Sequence, residues 1–243
     1  MKSVKIDLHL HTVLSPCGDL LMTPLNIIKK AVEKNIEVIA ITDHNSAANV
    51  KVTRDLAINY PVKIIPGIEV ETREEIHLLC LFKKYNSLLN LHNYIYDNLP
   101  PEENIEDIFG PQIIVDIEND FAAREKRLLA TSTNLSINEV VEKVYELNGI
   151  VIPSHIDKNY GLIKNLGLIP QDLSLSNLEV FKKTDIEKLK SKYPYLENYN
   201  LLKNSDSHYL DEIEAQMEIK IDKVDISNVF KALKSRKLEF IML

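Results

Sequence analysis

The sequence predicts an α/β fold built from repeated strand–helix units, and three observations predict it. Short apolar runs alternate with helically spaced segments along most of the chain. The 243 residues are 45% hydrophobic and 27% charged, which suits one barrel-like α/β domain with a sizeable core and excludes a disordered or fibrous chain. Six of the seven histidines fall at strand ends, where the loops of parallel α/β folds gather functional groups.

The elements follow in order. Residues 4–10 alternate with period two and form the first strand. Thr23 then caps a helix with Pro24 at its first position and Leu25, Ile28 and Val32 at helical spacing. Residues 38–41 form a second strand, 47–58 a helix, 62–65 a third strand and 77–82 a fourth. At about residues 85–134 the rhythm breaks. A helix there carries Leu88, His92, Ile95 and Leu99 on one face, and His92 is read as a packing residue; Pro100 and Pro101, an apolar run at 113–115 and a charged helical segment through Arg124 and Arg127 follow. This stretch is expected to be an inserted small subdomain or lid within a single domain spanning residues 1–243. Ser136 and Glu139 then give a capping box for a helix that Gly149 stops. Strands at 150–152, 178–181, 200–203 and 218–221 precede a last helix at 227–236 and an end strand at 238–242.

Charge and cysteine usage narrow the function. A formal charge of −7 disfavours long nucleic acid as a partner, because such affinity comes from neutralising many phosphates. Cys17 and Cys80 make neither a disulfide framework nor a Cys-x-x-Cys zinc pair. The N-terminus enters a charged strand at once, and no run reaches the roughly 20 apolar residues that span a bilayer. A cytoplasmic location with no membrane partner is the expectation; oligomeric state is open.

The chemistry lies in how histidines and acids are spaced. Strand alternation puts Asp7, His9 and His11 on one face and Ile6, Leu8 and Leu10 on the other. Asp206-Ser207-His208 repeats the spacing, Asp43-His44 pairs an acid with an imidazole, and Glu69 stands between Ile68 and Val70. His155 follows the strand at 150–152. His77 opens its strand instead of closing it, which suggests an antiparallel strand or a local reversal. Such groups repel and lose solvation when gathered in one pocket, and divalent ions resolve that cost. Imidazole and carboxylate suit zinc, manganese or iron. Two ions roughly 3.5–4 Å apart clamp an in-line displacement at phosphorus.

With those residues identified, the chain resembles the polymerase and histidinol phosphatase (PHP) family of metal-dependent phosphoesterases. The resemblance rests on Asp7-Leu8-His9-Leu10-His11-Thr12, Ile41-Thr42-Asp43-His44-Asn45, Pro66-Gly67-Ile68-Glu69-Val70 with His77, Pro153-Ser154-His155 and Ser205-Asp206-Ser207-His208, five motifs in order. It implies a distorted (β/α)7 TIM-like barrel with two or three divalent ions at the carboxyl ends of its strands. It implies that His9, His11, Glu69 and Asp206 hold one ion, that Glu69 bridges to a second held by His77 and His155, and that His44 and His208 hold a third. Asp7 and Asp43 would orient imidazoles. The implied reaction is attack of a metal-bound hydroxide on a phosphomonoester, with Asp206, His208 and Glu69 as catalytic residues and a small phosphorylated molecule or nucleotide as substrate.

One loop departs from the family pattern. Where relatives carry Thr-x-x-Ser-Asp-Gly, this chain reads Thr12-Val13-Leu14-Ser15-Pro16-Cys17-Gly18-Asp19. Asp19 is the preferred replacement ligand, with Cys17 as the alternative. Lys158, three residues after His155 where relatives often have Arg, is the first candidate for substrate phosphate; Arg127 is the second. Alternative functions are an exonuclease of either polarity (3'-5' or 5'-3') on short oligonucleotides and a non-catalytic, metal-stabilised binding module.

Overall fold

The computed structural model describes residues 1–159, 161–170, 173–235, 238 and 240–242. A seven-stranded sheet runs in the order β11-β10-β1-β2-β3-β4-β7, with β1 at Lys2–Leu10, β2 at Val38–Ile41, β3 at Lys63–Glu71, β4 at His77–Leu81, β7 at Ile150–Pro153, β10 at Met217–Ile221 and β11 at Phe240–Met242. β1, β2 and β3 are parallel, whereas β4 runs against both β3 and β7 and β10 runs against β1. The strand that opens with His77 is therefore antiparallel, and its start lies at the same edge as the carboxyl ends of β1, β2, β3 and β7.

The sheet curls, and the ladder is not continuous around a ring. β8 (Asn177–Glu179) and β9 (Asn200–Leu202) make their own parallel pair. Single links join this pair to the main sheet: Ile156 N–H donates to the Glu179 carbonyl at 2.9 Å, and Leu10 bridges Ser207. Among the described residues the architecture is a mixed α/β half-barrel plus a strand pair. With antiparallel β4 and β10, it departs from a regular (β/α)7 count.

Helices α1 (Pro24–Glu33), α2 (Val50–Leu56), α3 (Tyr85–Asp97) and α5 (Ile137–Glu146) cover one face, where Ile28, Val50, Leu88 and Val140 join a core with Ile39, Ile41 and Ile68. On the other face α8 (Ile226–Leu233) inserts Val229, Phe230 and Leu233 among Val4, Ile6, Leu8, Val38 and Ile219. Short helices α4 (Glu106–Phe109), α6 (Leu162–Leu166) and α7 (Ile186–Lys192) lie in connections. The Ser136–Glu139 capping box forms at the start of α5, an arrangement that contributes about 1 kcal/mol.

Several local expectations change. β3 runs on past the expected 62–65 through Pro66-Gly67 as one continuous strand, its pairing carried there by the Pro66 carbonyl, which accepts from Phe82 N–H at 2.8 Å. The helix after β2 starts only at Val50, since Asn49 Nδ2 donates to Thr12 Oγ1 and to the Ile113 carbonyl. At the end of α5 the left-handed residue is Asn148 (φ 62°), not Gly149. Gly149 serves close packing, because a Cβ there would meet Phe82 and Val144 at 2.6 Å. A bulge between Asp7 and Leu10 breaks strict alternation in β1, so Ile6 and Leu8 join one core while Leu10 joins the other.

The charged segment through Arg124 is a strand, not a helix. β5 (Ile113–Val115) and β6 (Phe121–Arg124) form an antiparallel hairpin. Its turn is set by Asp116, whose Oδ1 accepts from Glu118 and Asp120 N–H, and by Asn119 at φ 65°. Frequent charges on an exposed hairpin mimic a solvated helical face. The hairpin rests on the loop after β1 through Ile113 N–H to the Val13 carbonyl, and Gly110 (φ 98°) packs so closely on Pro16 that a Cβ would meet its carbonyl at 2.1 Å. Part of the expected last helix (Arg236) and of the end strand lies outside the described residues. Among those described, no helix is long and apolar enough to cross a membrane.

Candidate metal centre

Glu69 is the hub of the site. It is 1% exposed, and its Oε1 lies 3.2 Å from His9 Nε2, 3.1 Å from His77 Nδ1 and 3.7 Å from His155 Nε2. Its Oε2 lies 3.4 Å from His11 Nε2 and 3.1 Å from His44 Nδ1. Asp206 Oδ1 faces His9 Nε2 at 3.3 Å and His11 Nε2 at 3.6 Å, and His208 stacks on His11 with centroids 4.2 Å apart. Each group comes from a strand end at one edge of the sheet or from the loop after β9.

Backbone strain marks the same places. His155 (φ 31°) and Asp206 (φ 51°) occupy the left-handed region, which costs a side-chain-bearing residue about 1–3 kcal/mol. Asn45 (φ 48°) does so too and ties the layers together: its side chain accepts from Glu71 N–H at 3.1 Å and donates to the Leu129 and Thr131 carbonyls at 2.8 Å.

Three sets of donor atoms lie within 4.8 Å of one another: His9, His11 and Asp206; His44, Glu69 and His77; and His11, His44 and His208. His44 Nδ1 and Glu69 Oε1 are buried without a hydrogen bond of acceptable geometry, although oppositely charged or lone-pair atoms crowd them. Convergent imidazoles and acids with unsatisfied inward atoms are what divalent ions would complete. These residues fit the metals their types suggest.

Electrostatics put Glu69, Asp206, His11 and His155 in a ligating state. Burial acts to raise Glu69 and Asp206, but His9 next to both, with His77 beside Glu69 and His11 beside Asp206, holds each carboxyl well below its usual range. Burial, together with neighbouring His208 and His44, pushes His11 well down, and burial takes His155 to about 3. At three imidazoles the neighbours overcome burial: Glu179, Glu69 and Asp206 hold His9 well above the usual value, Cys17 and Glu69 do the same to His44, and Cys17 and Asp206 raise His208.

The supporting shell is specific. Asp43 accepts from Thr12 N–H at 2.6 Å and Ser15 Oγ at 2.7 Å, and Ser15 Oγ meets His11 Nδ1 at 2.9 Å, so Asp43 orients His11 through Ser15. Asp7 takes no imidazole; it accepts from Ser205 N–H at 3.1 Å and from its hydroxyl, fixing the loop that carries Asp206, and burial raises it to about 7. Sequence reasoning missed Glu179, whose oxygens lie 3.1 and 3.0 Å from His9 Nδ1 and which accepts from His155 N–H and Asn204 Nδ2. The signal was available: Leu178-Glu179-Val180 embeds an acid in an apolar run just as Ile68-Glu69-Val70 does.

The structure therefore gathers His9, His11, His44, Glu69, His77, His155, Asp206 and His208. Lys158 is at the site too, its Nζ 2.9 Å from Asp206 Oδ2 and 5.0 Å from the Phe181 ring centroid. Arg127 is elsewhere employed: its Nη1 donates to the Tyr96 carbonyl at 2.5 Å and the guanidinium lies 4.2 Å over the Tyr96 ring, clamping the hairpin segment to α3. Asp19 turns its carboxylate to Leu21 N–H at 2.8 Å, away from the three imidazoles, while the Cys17 thiol hydrogen-bonds His208 and His44. Those bonds outweigh burial and bring the thiol to about 6.

Comparison with known proteins follows the same motifs. The PHP domain family model matches residues 7–160. The chain is 37% identical over 113 residues to the uncharacterized protein MJ1587 of Methanocaldococcus jannaschii, covering 43% of this chain and 61% of that one. It is 38% identical over 88 residues to the 5'-3' exoribonuclease Rnm of Salmonella typhimurium, covering 32% and 28%. The chain thus spans less than two thirds of either relative. Among solved structures it resembles the lesion-specific endonuclease PfuEndoQ of Pyrococcus furiosus, with TM-score 0.75 and 19% identity over 96% of this chain and 56% of that one. An endonuclease Q complex with a 27-mer duplex bearing an abasic lesion gives TM-score 0.72 and 18% identity over 96% and 57%.

Proposed function

The chain belongs to the PHP family, and on that premise we propose that it is a metal-dependent phosphoesterase releasing phosphate from small phosphomonoesters or nucleotide ends. One observation carries the reading: Glu69 stands within 3.7 Å of five imidazoles, so one carboxylate can serve two ions. Two or three zinc, manganese or iron ions, when bound, supply a lowered water pKa and neutralise charge developing at phosphorus.

The chain's own residues do the rest. His9, His11, Glu69 and Asp206 hold one ion, Glu69 with His77 and His155 a second, and His44 and His208 take part in a third. Lys158, already at the Asp206 carboxylate, turns its ammonium to a substrate phosphate. The His208 side chain is 22% exposed and reaches the solvent side of the cluster, but its Nδ1 is held by the Asp206 carbonyl at 3.1 Å and its other nitrogen would face the ion, so the leaving oxygen takes its proton from water.

A second reading, exonuclease action on oligonucleotide ends, is favoured by the 38% identity to a 5'-3' exoribonuclease. The expectation against long nucleic acid lapses as well, since a solved neighbour of this fold holds a 27-mer duplex. The test is phosphate and nucleotide release from histidinol phosphate, nucleoside 3',5'-bisphosphates, sugar phosphates and oligonucleotides up to that duplex length, with manganese or zinc, comparing the wild type with Asp206→Ala. Turnover lost in the variant supports a phosphoesterase and ranks its substrates. A fully metal-loaded wild type inactive on the whole panel points to the binding-module alternative.

A further inference from the structure

Resting on the reading of this chain as a phosphoesterase, we propose that Phe181 is the platform on which the base of a nucleotide substrate stacks, so that it selects nucleoside phosphates over the phosphates of plain sugars. Among the described residues the ring is half-buried yet joins none of the apolar clusters of the core. Its neighbours fix its direction. Glu179 meets His9 and Val180 packs into the core, so the alternation that continues past β8 returns Phe181 to the side of the histidine cluster. The Lys158 ammonium lies 5.0 Å from the ring centroid and 2.9 Å from Asp206 Oδ2, so one cation spans the aromatic ring and the centre.

The loop after β7 holds the ring in place. Ile156 N–H donates to the Glu179 carbonyl at 2.9 Å, Asp157 Oδ1 accepts from Phe181 N–H at 2.9 Å, and Asp157 Oδ2 accepts from the Thr184 hydroxyl. Thr184 N–H donates to the Phe181 carbonyl at 2.8 Å, closing the turn on which the ring is mounted. A platform fixed through its backbone has little freedom left to lose when a ligand lies on it. Lys158 covers the ring until its ammonium turns to a substrate phosphate, and the movement that binds phosphate then bares the face for a flat heteroaromatic base. A sugar offers no π-face in return. The ring stands a single ammonium's reach from Asp206, which suits the base of the nucleoside whose own phosphate is cleaved.

Kinetics and fluorescence of the full chain loaded with zinc or manganese test this. Wild type should show a lower KM for adenosine 5'-phosphate than for ribose 5-phosphate. Phe181→Leu should raise the first about tenfold, within the range one base–aromatic stack supplies, and the second far less, erasing the preference; Phe181→Tyr should retain it. The chain has no tryptophan, so Phe181→Trp installs a single reporter that needs no turnover. The phosphonate analogue of adenosine 5'-phosphate, whose P–C bond resists hydrolysis, should quench that fluorescence, and the analogue of ribose 5-phosphate should not. Equal KM values in wild type, or a preference that survives Phe181→Leu, would overturn the assignment. Turnover of both esters without quenching would also overturn it and leave the phosphoesterase reading standing, whereas quenching without turnover of either ester would keep the platform and fail that reading. A chain that neither turns over an ester nor shows quenching fails both.

Discussion

His9 and Glu179 meet at 3.0 Å although β1 and β8 belong to different sheets. The contact engages Nδ1 and leaves Nε2 facing Glu69 and Asp206. A carboxylate behind an imidazole fixes its tautomer and strengthens it as a ligand, and losing such a partner typically costs about 10–100-fold in metal affinity. Glu179→Gln should therefore bind metal more weakly by that factor, with an intact circular dichroism spectrum. Unchanged affinity by isothermal titration would show that Glu179 merely fills space.

Metal removal should soften the whole protein. An ion present at 1,000 times its dissociation constant stabilises by about 4 kcal/mol, and each kcal/mol moves the melting temperature by about 2–4 °C at this chain length. Chelation should lower the melting temperature by about 10 °C, and re-addition of zinc should restore it. Equal melting curves with and without chelator would mean that the centre is empty in the native protein.

Lys158→Met should raise KM for a phosphomonoester while leaving the bound-metal count unchanged. The side chain pairs with Asp206 Oδ2, outside the oxygen that faces His9 and His11, so its loss spares that contact. Unaltered kinetics would remove it from phosphate binding.

His92 provides a pH test remote from the metal centre. Its Nδ1 accepts from Ala47 N–H at 3.3 Å, which needs the neutral ring, and burial holds it below its ordinary value. As pH falls below about 6.5, the unfolded chain takes up the proton before the folded one does. The contribution of His92 is thus full above that pH and is lost as pH falls through the lower folded value, with a slope of at most about 1.4 kcal/mol per pH unit. Thermal melts from pH 7 to 5 should fall more steeply for wild type than for His92→Gln; parallel curves would refute the assignment.

Gly110→Ala probes the docking of the hairpin segment. At φ 98° with a Pro16 carbonyl 2.1 Å from a built Cβ, alanine meets both strain and a clash, and about 1–3 kcal/mol of destabilisation is expected from the strain alone. A denaturation midpoint equal to wild type would mean that the loop after β1 yields freely.

Most of the side chains that converge on Glu69 were legible because metal chemistry restricts residue types so tightly: imidazoles and acids placed at the ends of apolar strands have few other uses. His77 even announced strand reversal by opening its strand. What sequence could not show was where a carboxylate turns once the chain folds. Asp19 looks like a ligand by spacing and is captured by its own turn, while Glu179 lies far from the motifs and arrives through the β8–β9 pair. The strand at Phe121–Arg124 was misjudged for a related reason, since charge periodicity cannot distinguish a solvated helix from an exposed hairpin.

The reversal of β4 makes the β3–β4 hairpin a ruler. Glu69 and His77 stand on its two arms, with Glu71 opposite His77 in register, so their separation is set by one turn, with no help from barrel closure. Breathing of the distant strand pair would leave this spacing untouched. A one-residue insertion in the turn at residues 72–76 that shifted the register would instead send His77 to the opposite face of the sheet. The centre thus has one arm measured out by local sequence and one, Asp206 and His208, held on its loop by tertiary bonds from Asp7 and Asp19.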